Sequence, residues 1–113
     1  MDNPRISLDE FDKIEVKIGT VRSAERVPET EKLLRLIVDF NEENGPRQII
    51  SGIAAYVSEP ESLLNRQFAF VTNLEPRTIR GFESDGMLFA VGEGESFAFL
   101  VPDRKVSPGT SAH

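Results

Sequence analysis

Cysteine and tryptophan are absent, and the one histidine, His113, is the last of 113 residues. Without cysteine there is no disulfide framework, no thiolate nucleophile and no Cys-based zinc site. A histidine at the end of the tail SPGTSAH, which is expected to fray, removes imidazole from any buried catalytic role. Ser/His/Asp chemistry, HExxH zinc sites and Cys/His pairs are thereby excluded by inventory. Long apolar runs are lacking too. No stretch approaches the roughly 18 residues of a membrane helix, and the N-terminal MDNPRISLDEFDK has no basic start followed by an apolar core, so no secretory signal is expected. The expected address is cytoplasmic, with no membrane association, no metal and no cofactor.

Positive charge is in short supply. Thirteen Lys and Arg against nineteen Asp and Glu leave a net charge of −6, which points away from nonspecific binding to a polyanion. Because charges are screened over about 8 Å at physiological salt, a nucleic-acid role needs a local concentration of cations. The acids cluster as Asp9, Glu10 and Asp12; Glu42 and Glu43; Glu59 and Glu61; Glu93 and Glu95. None of these spacings says more than a solvated acidic surface, and the reading is nonenzymatic. Between Arg66 and Phe82, by contrast, three arginines stand against Glu75 alone, a local charge of +2. The connection Asn73 to Met87, NLEPRTIRGFESDGM, carries Arg77 and Arg80 among Pro and Gly. A loop between strands on a rigid scaffold is where binding residues concentrate. Phe82, beside Arg80 and outside strict alternation, is the candidate for base stacking.

The chain reads as one domain over residues 1–113, large enough for its own core. Ser7 and Glu10 have capping-box spacing, with Ile6 and Phe11 placed as a hydrophobic staple, so a short helix is expected near Leu8 to Asp12. Ile14, Val16 and Ile18 alternate with Glu15 and Lys17 as a first strand running on to Arg26, with a bulge or bend expected at Gly19. Val27 to Glu31 reads as a turn or single helical turn, Leu34 to Phe40 as the second strand, NEENGP as a hairpin turn and Gln48 to Ile53 as the third strand. Ser58, Pro60 and Glu61 suggest a short helix to Asn65, between the third and fourth strands. Phe68 to Asn73 and Met87 to Val91 supply the fourth and fifth strands. The barrel core thus spans about 11–91, followed by an extra strand at about 96–101 and a tail at 102–113. Five strands, a bent first strand and that helix predict an all-β, five-stranded OB-fold, a Greek-key barrel with N- and C-terminal extensions. Fold alone does not license a function.

Several motifs occur in the order of a known family: Phe11-Asp12-Lys13-Ile14 leading to Val16-Lys17-Ile18-Gly19; Glu31-Lys32-Leu33-Leu34; Asp39; Ile50-Ser51-Gly52-Ile53; Asn73-Leu74-Glu75-Pro76-Arg77; Ile79-Arg80-Gly81; and Ser84-Asp85-Gly86-Met87-Leu88. From Phe11 to Val101 the chain resembles the stand-alone tRNA-binding domain, also found at the C-terminus of many methionyl-tRNA synthetases and in endothelial-monocyte-activating-polypeptide-type cofactors. The resemblance implies a nonenzymatic module that grips tRNA by shape and backbone, often assisting an aminoacyl-tRNA synthetase. It also implies a homodimer, for which Ile6 to Asp12 and Phe97 to Val101 are the candidate interface elements. Because Met1 begins the domain and little follows it, the module is expected to be freestanding. The resemblance carries RNA-binding roles to Lys32 and Arg80 as phosphate donors, to Asn73 and Ser84 as hydrogen-bonding groups, and to Met87 as an apolar contact. With Arg77 and Phe82 from the residue reading, these make up the candidate site. Glu75 departs from the family's frequent lysine. The alternative is a peptide-binding chaperone of the CsaA type, or another protein-interaction module of the same fold. The usual CsaA pattern has Ser-Ser-Ala-Gln-Ile where this chain has Ser51-Gly52-Ile53-Ala54, and it lacks the Gly86-Met87 pair.

Overall fold

A computed structural model describes residues 3–113. Its centre is an 11-residue strand, β1 (Val16–Arg26), long enough to pair with a different strand along each half. The first half, Val16 to Thr20, pairs antiparallel with β4 (Gln67–Val71), and the second half, Thr20 to Arg26, pairs with β2 (Leu34–Asp39). β2 also pairs with β3 (Arg47–Ser51), and β4 with the two-residue β7 (Met87–Leu88). The order β3-β2-β1-β4-β7, with Asp85 N–H donating to Gln48 C=O at 2.8 Å, brings the last strand back toward β3. The result is the nearly closed five-stranded OB-fold barrel expected from the sequence.

Alternation explains which side is inside. Leu34, Leu36 and Val38 of β2 are buried, whereas Arg35, Ile37 and Asp39 face outward. The inward set meets Val21, Ile49, Phe68 and Phe70, and Phe40 closes on Phe70 edge to face at 5.4 Å. Fully burying each such aliphatic or aromatic side chain contributes about 1.5–3 kcal/mol.

The expected bulge at Gly19 is displaced. Gly19 pairs regularly with Phe68, and the register slips between Val21 and Ser23 instead, leaving Arg22 unpaired in the ladder. Gly19 is glycine for another reason: a Cβ there would stand 2.4 Å from Val38 Cγ1 and 2.7 Å from Phe40 Cε1. The bulged Arg22 holds Asp39 at 3.1 Å and Asn65 at 3.0 Å.

The helix expected at 58–65 is corrected to two single 3₁₀ turns, Ala54–Tyr56 and Pro60–Leu63. Glu59, not Ser58, holds the second turn's cap position, and no side chain caps it. Leu63 anchors the second turn in the core. The N-terminal helix forms as α1 (Leu8–Phe11), capped by Ser7 Oγ accepting from Glu10 N–H at 3.1 Å. It buries none of its residues, and the staple pair Ile6 and Phe11 stays exposed.

The fifth strand is broken at Phe89 into β7 and β8 (Ala90–Val91). The extra strand shrinks to β9 (Ala98–Phe99), which pairs with β8 after a 3₁₀ turn at Gly94–Ser96. The tail is tied down rather than frayed. Ala112 N–H donates to Val16 C=O, Ile18 N–H to Thr110 C=O and Gly109 N–H to Ile18 C=O, all within 2.7–2.8 Å. Gln67 holds Val106 by both its amide groups.

Candidate nucleic-acid interface

The connection Asn73 to Met87 contains a β-hairpin that sequence reading takes for a loop. β5 (Arg77–Ile79) pairs with β6 (Phe82–Ser84), and Ile79 faces Phe82 across a two-residue turn, Arg80-Gly81. Both turn residues have positive φ, +53° and +82°, the type I′ geometry whose twist matches a hairpin. Glycine adopts that backbone freely. Arg80 does so against steric preference, a cost that marks a constrained position.

Four contacts fasten this hairpin to the barrel. Ser84 Oγ accepts from Ile50 N–H at 3.0 Å and donates to Gly86 C=O at 3.3 Å. Gln48 Nε2 donates to Glu83 C=O at 2.8 Å, and the Asp85 N–H to Gln48 C=O bond continues the seam. The Arg35 guanidinium lies 5.6 Å from the Phe82 ring centroid, donates through Nε to Gln48 Oε1 at 2.7 Å and pairs with Glu25. The seam sets the direction of the hairpin. Ser84 sits beside Ile50 and Asp85 beside Gln48, so β6 runs against β3 and its tip points to the barrel end where Leu34 faces Ser51. Lys32 is at that same end, its C=O accepting from Ala54 N–H at 3.1 Å.

The sequence-derived residues therefore fall into two groups. Lys32, Arg80 and Phe82 share the tip end, with Arg35 beneath Phe82. Asn73 and Met87 lie at the hairpin's root, where Met87 faces Val71. Arg77 opens β5 between the two groups. Lys32, Arg77 and Arg80 are exposed, and among the described residues none of them makes an ion pair. Ser84 is buried with its hydroxyl engaged at both ends, so its place is in the seam. Asn73 is also engaged: Oδ1 accepts from Glu15 N–H at 2.8 Å, and Nδ2 donates to Lys13 C=O. Met87 is 45% exposed rather than packed in the barrel.

Arg35 and Gln48 are neighbours of the candidate site that sequence reading misses. The signal was available in part, because Arg35 is an outward position on a strand whose other face is core. Arg47 is a third. It holds Glu42 through two bonds of 2.8 Å, donates to Thr72 C=O at 2.7 Å and lies 5.4 Å from the Phe40 ring centroid. The hydrogen bonds from Arg47 hold the Glu42 carboxyl below its usual range and raise the Arg47 guanidinium in turn. Asp39 is lowered chiefly by the Asn41 backbone N–H at 2.7 Å, with Arg22 adding to it. Arg47 is thus spent on its neighbours. The cleft of ≈ 710 Å³ around it, with Glu42, Glu43, Glu83 and Asp85 on its walls, is acidic.

Two grooves meet at Leu74 and Met87. One, of ≈ 490 Å³, runs between the hairpin root and Ile50. The other, of ≈ 550 Å³, is strongly apolar and passes among Phe11, Ile14, Val71, Phe89 and Leu100. Among the described residues no helix is long and apolar enough to cross a membrane, and no cluster of acids and histidine suits a metal ion.

The family model described as "Putative tRNA binding domain" matches residues 16–111. The methionine–tRNA ligase of Methanosphaerula palustris is 48% identical over 105 residues, 93% of this chain but 15% of that protein; the chain spans about that share of the curated relatives it matches. Among solved structures, a MetRS-related protein from Pyrococcus horikoshii superposes with a TM-score of 0.86 at 37% identity, covering 98% of this chain and all of that one. The chaperone CsaA of Bacillus anthracis superposes at 0.83 with 29% identity, covering 97% of this chain and all of that one. With nearly its whole barrel matched, the chain belongs to the tRNA-binding domain family related to the methionyl-tRNA synthetase C-terminal domain.

Proposed function

We propose that this domain is a nonenzymatic module that binds folded tRNA through the tip end of its barrel and assists an aminoacyl-tRNA synthetase in the cytoplasm. The observation that carries the reading is the convergence of Lys32, Arg80 and Phe82 on one end of an otherwise acidic barrel, with both cations free of acidic partners among the described residues. Lys32 and Arg80 donate to phosphates as charge-assisted partners, Arg77 extends the track, and the exposed face of Phe82 offers a stacking surface. The acidic cleft flanking Asp85 repels the RNA backbone on the other side, which confines its path.

The tRNA-binding unit is a homodimer in this reading. Ile6, Leu8, Phe11, Ile14, Phe89 and Val101 are all more than 40% exposed, a concentration of apolar surface that a second copy would cover.

Fluorescence anisotropy of labelled tRNA against a length-matched unstructured RNA, at low and physiological salt, tests the function. Preference for the folded RNA with weakening by salt is expected. Arg80→Asn is the informative variant, because asparagine suits the first position of a type I′ turn while removing the charge. It should weaken all tRNAs by similar factors and reduce the salt slope by roughly 0.7–0.9. Unchanged binding would remove the hairpin tip from the interface. A second reading, an extended peptide in the apolar groove, is favoured by that groove and by the likeness to the CsaA chaperone. Absence of tRNA binding at either salt would turn the assignment to it.

A further inference from the structure

The groove at the hairpin root combines three features that a phosphate track does not need. Part of its lining is apolar, with Leu74 46% exposed and Met87 45% exposed beside Ile50. Its volume of ≈ 490 Å³ falls within the roughly 300–1,000 Å³ of small-ligand sites. Its lining also includes Glu75 and Arg77, two residues apart in sequence and separated by Pro76. These opposite charges border one groove, yet they form no ion pair with each other. Among the described residues neither side chain makes any other ion pair or hydrogen bond. An anion and a cation, both unpaired among the described residues, beside apolar groups complement a ligand with a flat body, a donor edge and a negative group.

We propose that this groove is a subsite for a single unstacked guanine nucleotide of the bound RNA, with Glu75 reading the base and Arg77 taking its phosphate. This inference rests on the RNA-binding reading above. Guanine alone presents two adjacent donors, N1–H and N2–H, on its Watson–Crick edge, and an ionised carboxylate accepts both with its two oxygens. Adenine and cytosine each place a ring-nitrogen acceptor beside their amino group. Uracil flanks its single N–H with two carbonyls that repel a carboxylate. The base face lies on Leu74, Met87 and Ile50, where burial of apolar surface contributes regardless of base identity. A carboxylate in an RNA site weakens the general attraction to phosphate. It is therefore a selectivity element: it costs affinity for every nucleotide and returns it to one that donates twice. Such readout requires a base out of its helix, as in tRNA loops and single-stranded ends.

The test uses the intact protein and eight-nucleotide oligouridylates carrying one central guanine, inosine, adenine or cytosine, with folded tRNA as the control. Anisotropy should show the guanine oligomer bound roughly five- to one-hundred-fold more tightly than the all-uridine one. Inosine, which lacks the N2 amino group, should fall between them. Glu75→Gln should abolish the ranking while tRNA is still bound. Retained tRNA binding with all four oligomers alike, or a ranking that survives Glu75→Gln, would overturn the subsite and leave the RNA-binding reading intact. Failure of both tRNA and every oligomer to bind would overturn both.

Discussion

The Arg35 guanidinium lies 5.6 Å from the centre of the Phe82 ring, joining the outer face of β2 to the second arm of the hairpin. The same side chain reaches Gln48 and Glu25, and Gln48 reaches Glu83 C=O. One arginine thus ties the hairpin to two points of the barrel. An exposed cation–π contact contributes about 0.5–1 kcal/mol, so Arg35→Ala should weaken tRNA binding about two- to five-fold without unfolding the barrel. Hydrogen exchange at the Ile50 and Asp85 amides, which lie in the seam, should speed up in the same variant. Arg35→Lys keeps the charge but loses the planar fork, and it should not restore either quantity. Normal exchange at both amides in Arg35→Ala would mean that the seam holds without the arginine.

Gly19 should tolerate no side chain. A Cβ placed 2.4 Å from Val38 Cγ1 and under 3 Å from the Phe40 ring must push core groups off their rotamers, because both neighbours are buried. Overpacking of this kind costs typically about 1–3 kcal/mol. Gly19→Ala should lower Tm by roughly 5–15 °C, read by thermal unfolding followed by circular dichroism. An unchanged Tm would show that the β1 crossing has slack that the packing does not reveal.

The barrel was legible where one face of a strand is core and the other is solvent. β2 alternates without a break, and both its extent and its inward set emerge from sequence alone. The hairpin was not legible, since each arm has three residues and only Ser84 is buried, so no apolar period marks it. Its turn was hidden for a related reason: Arg-Gly lacks the Asn or Asp that usually announces positive φ. Gly19 shows a sequence signal with two physical causes, a bend or a close approach, and only the packing of Val38 and Phe40 separates them. The tail was misread because its order comes from main-chain bonds to β1, to which composition is blind. Of the candidate site, Lys32, Arg77, Arg80 and Phe82 were legible as exposed charge or aromaticity near a turn. The engagement of Ser84 and Asn73 depends on partners 34 to 60 residues away in sequence.

Stability should fall in acid through two identifiable carboxylates. Asp39 is held below the usual range by the Asn41 N–H and Arg22, and Glu42 by its bonds from Arg47. In each case the native state binds its proton less readily than the unfolded chain. The stabilisation is therefore complete above the unfolded value of about 4 and is lost as pH drops through the lowered native one. Urea midpoints should hold steady from pH 7 to about 5 and then decline. Asp39→Asn and Glu42→Gln should each start lower at pH 7 and decline less steeply. An acid limb with the same slope in both variants would place the titrating groups elsewhere.

The apolar groove that runs from Phe11 of α1 past Ile14, Val71 and Phe89 to Leu100 leads to the last expectation. Phe11 and Ile14 are 52% and 51% exposed, and α1 buries nothing within its own chain. A helix without a buried face gains almost nothing from folding onto a monomer, since short helices depend on packing for stability. A standard stable interface buries about 800 Å² per partner, roughly a tenth of the 7977 Å² exposed by this chain. Phe11→Asp and Ile14→Asp change surface positions, so the barrel should fold normally in both. In sedimentation equilibrium the native chain is expected to behave as a dimer and each variant as a monomer at the same concentration. The far-ultraviolet circular dichroism of the whole chain should lose the small helical contribution of α1 in parallel. A native chain that stays monomeric at every concentration would leave the groove open and shift it to an extended peptide. Variants that remain dimeric would move the interface to another face of the barrel.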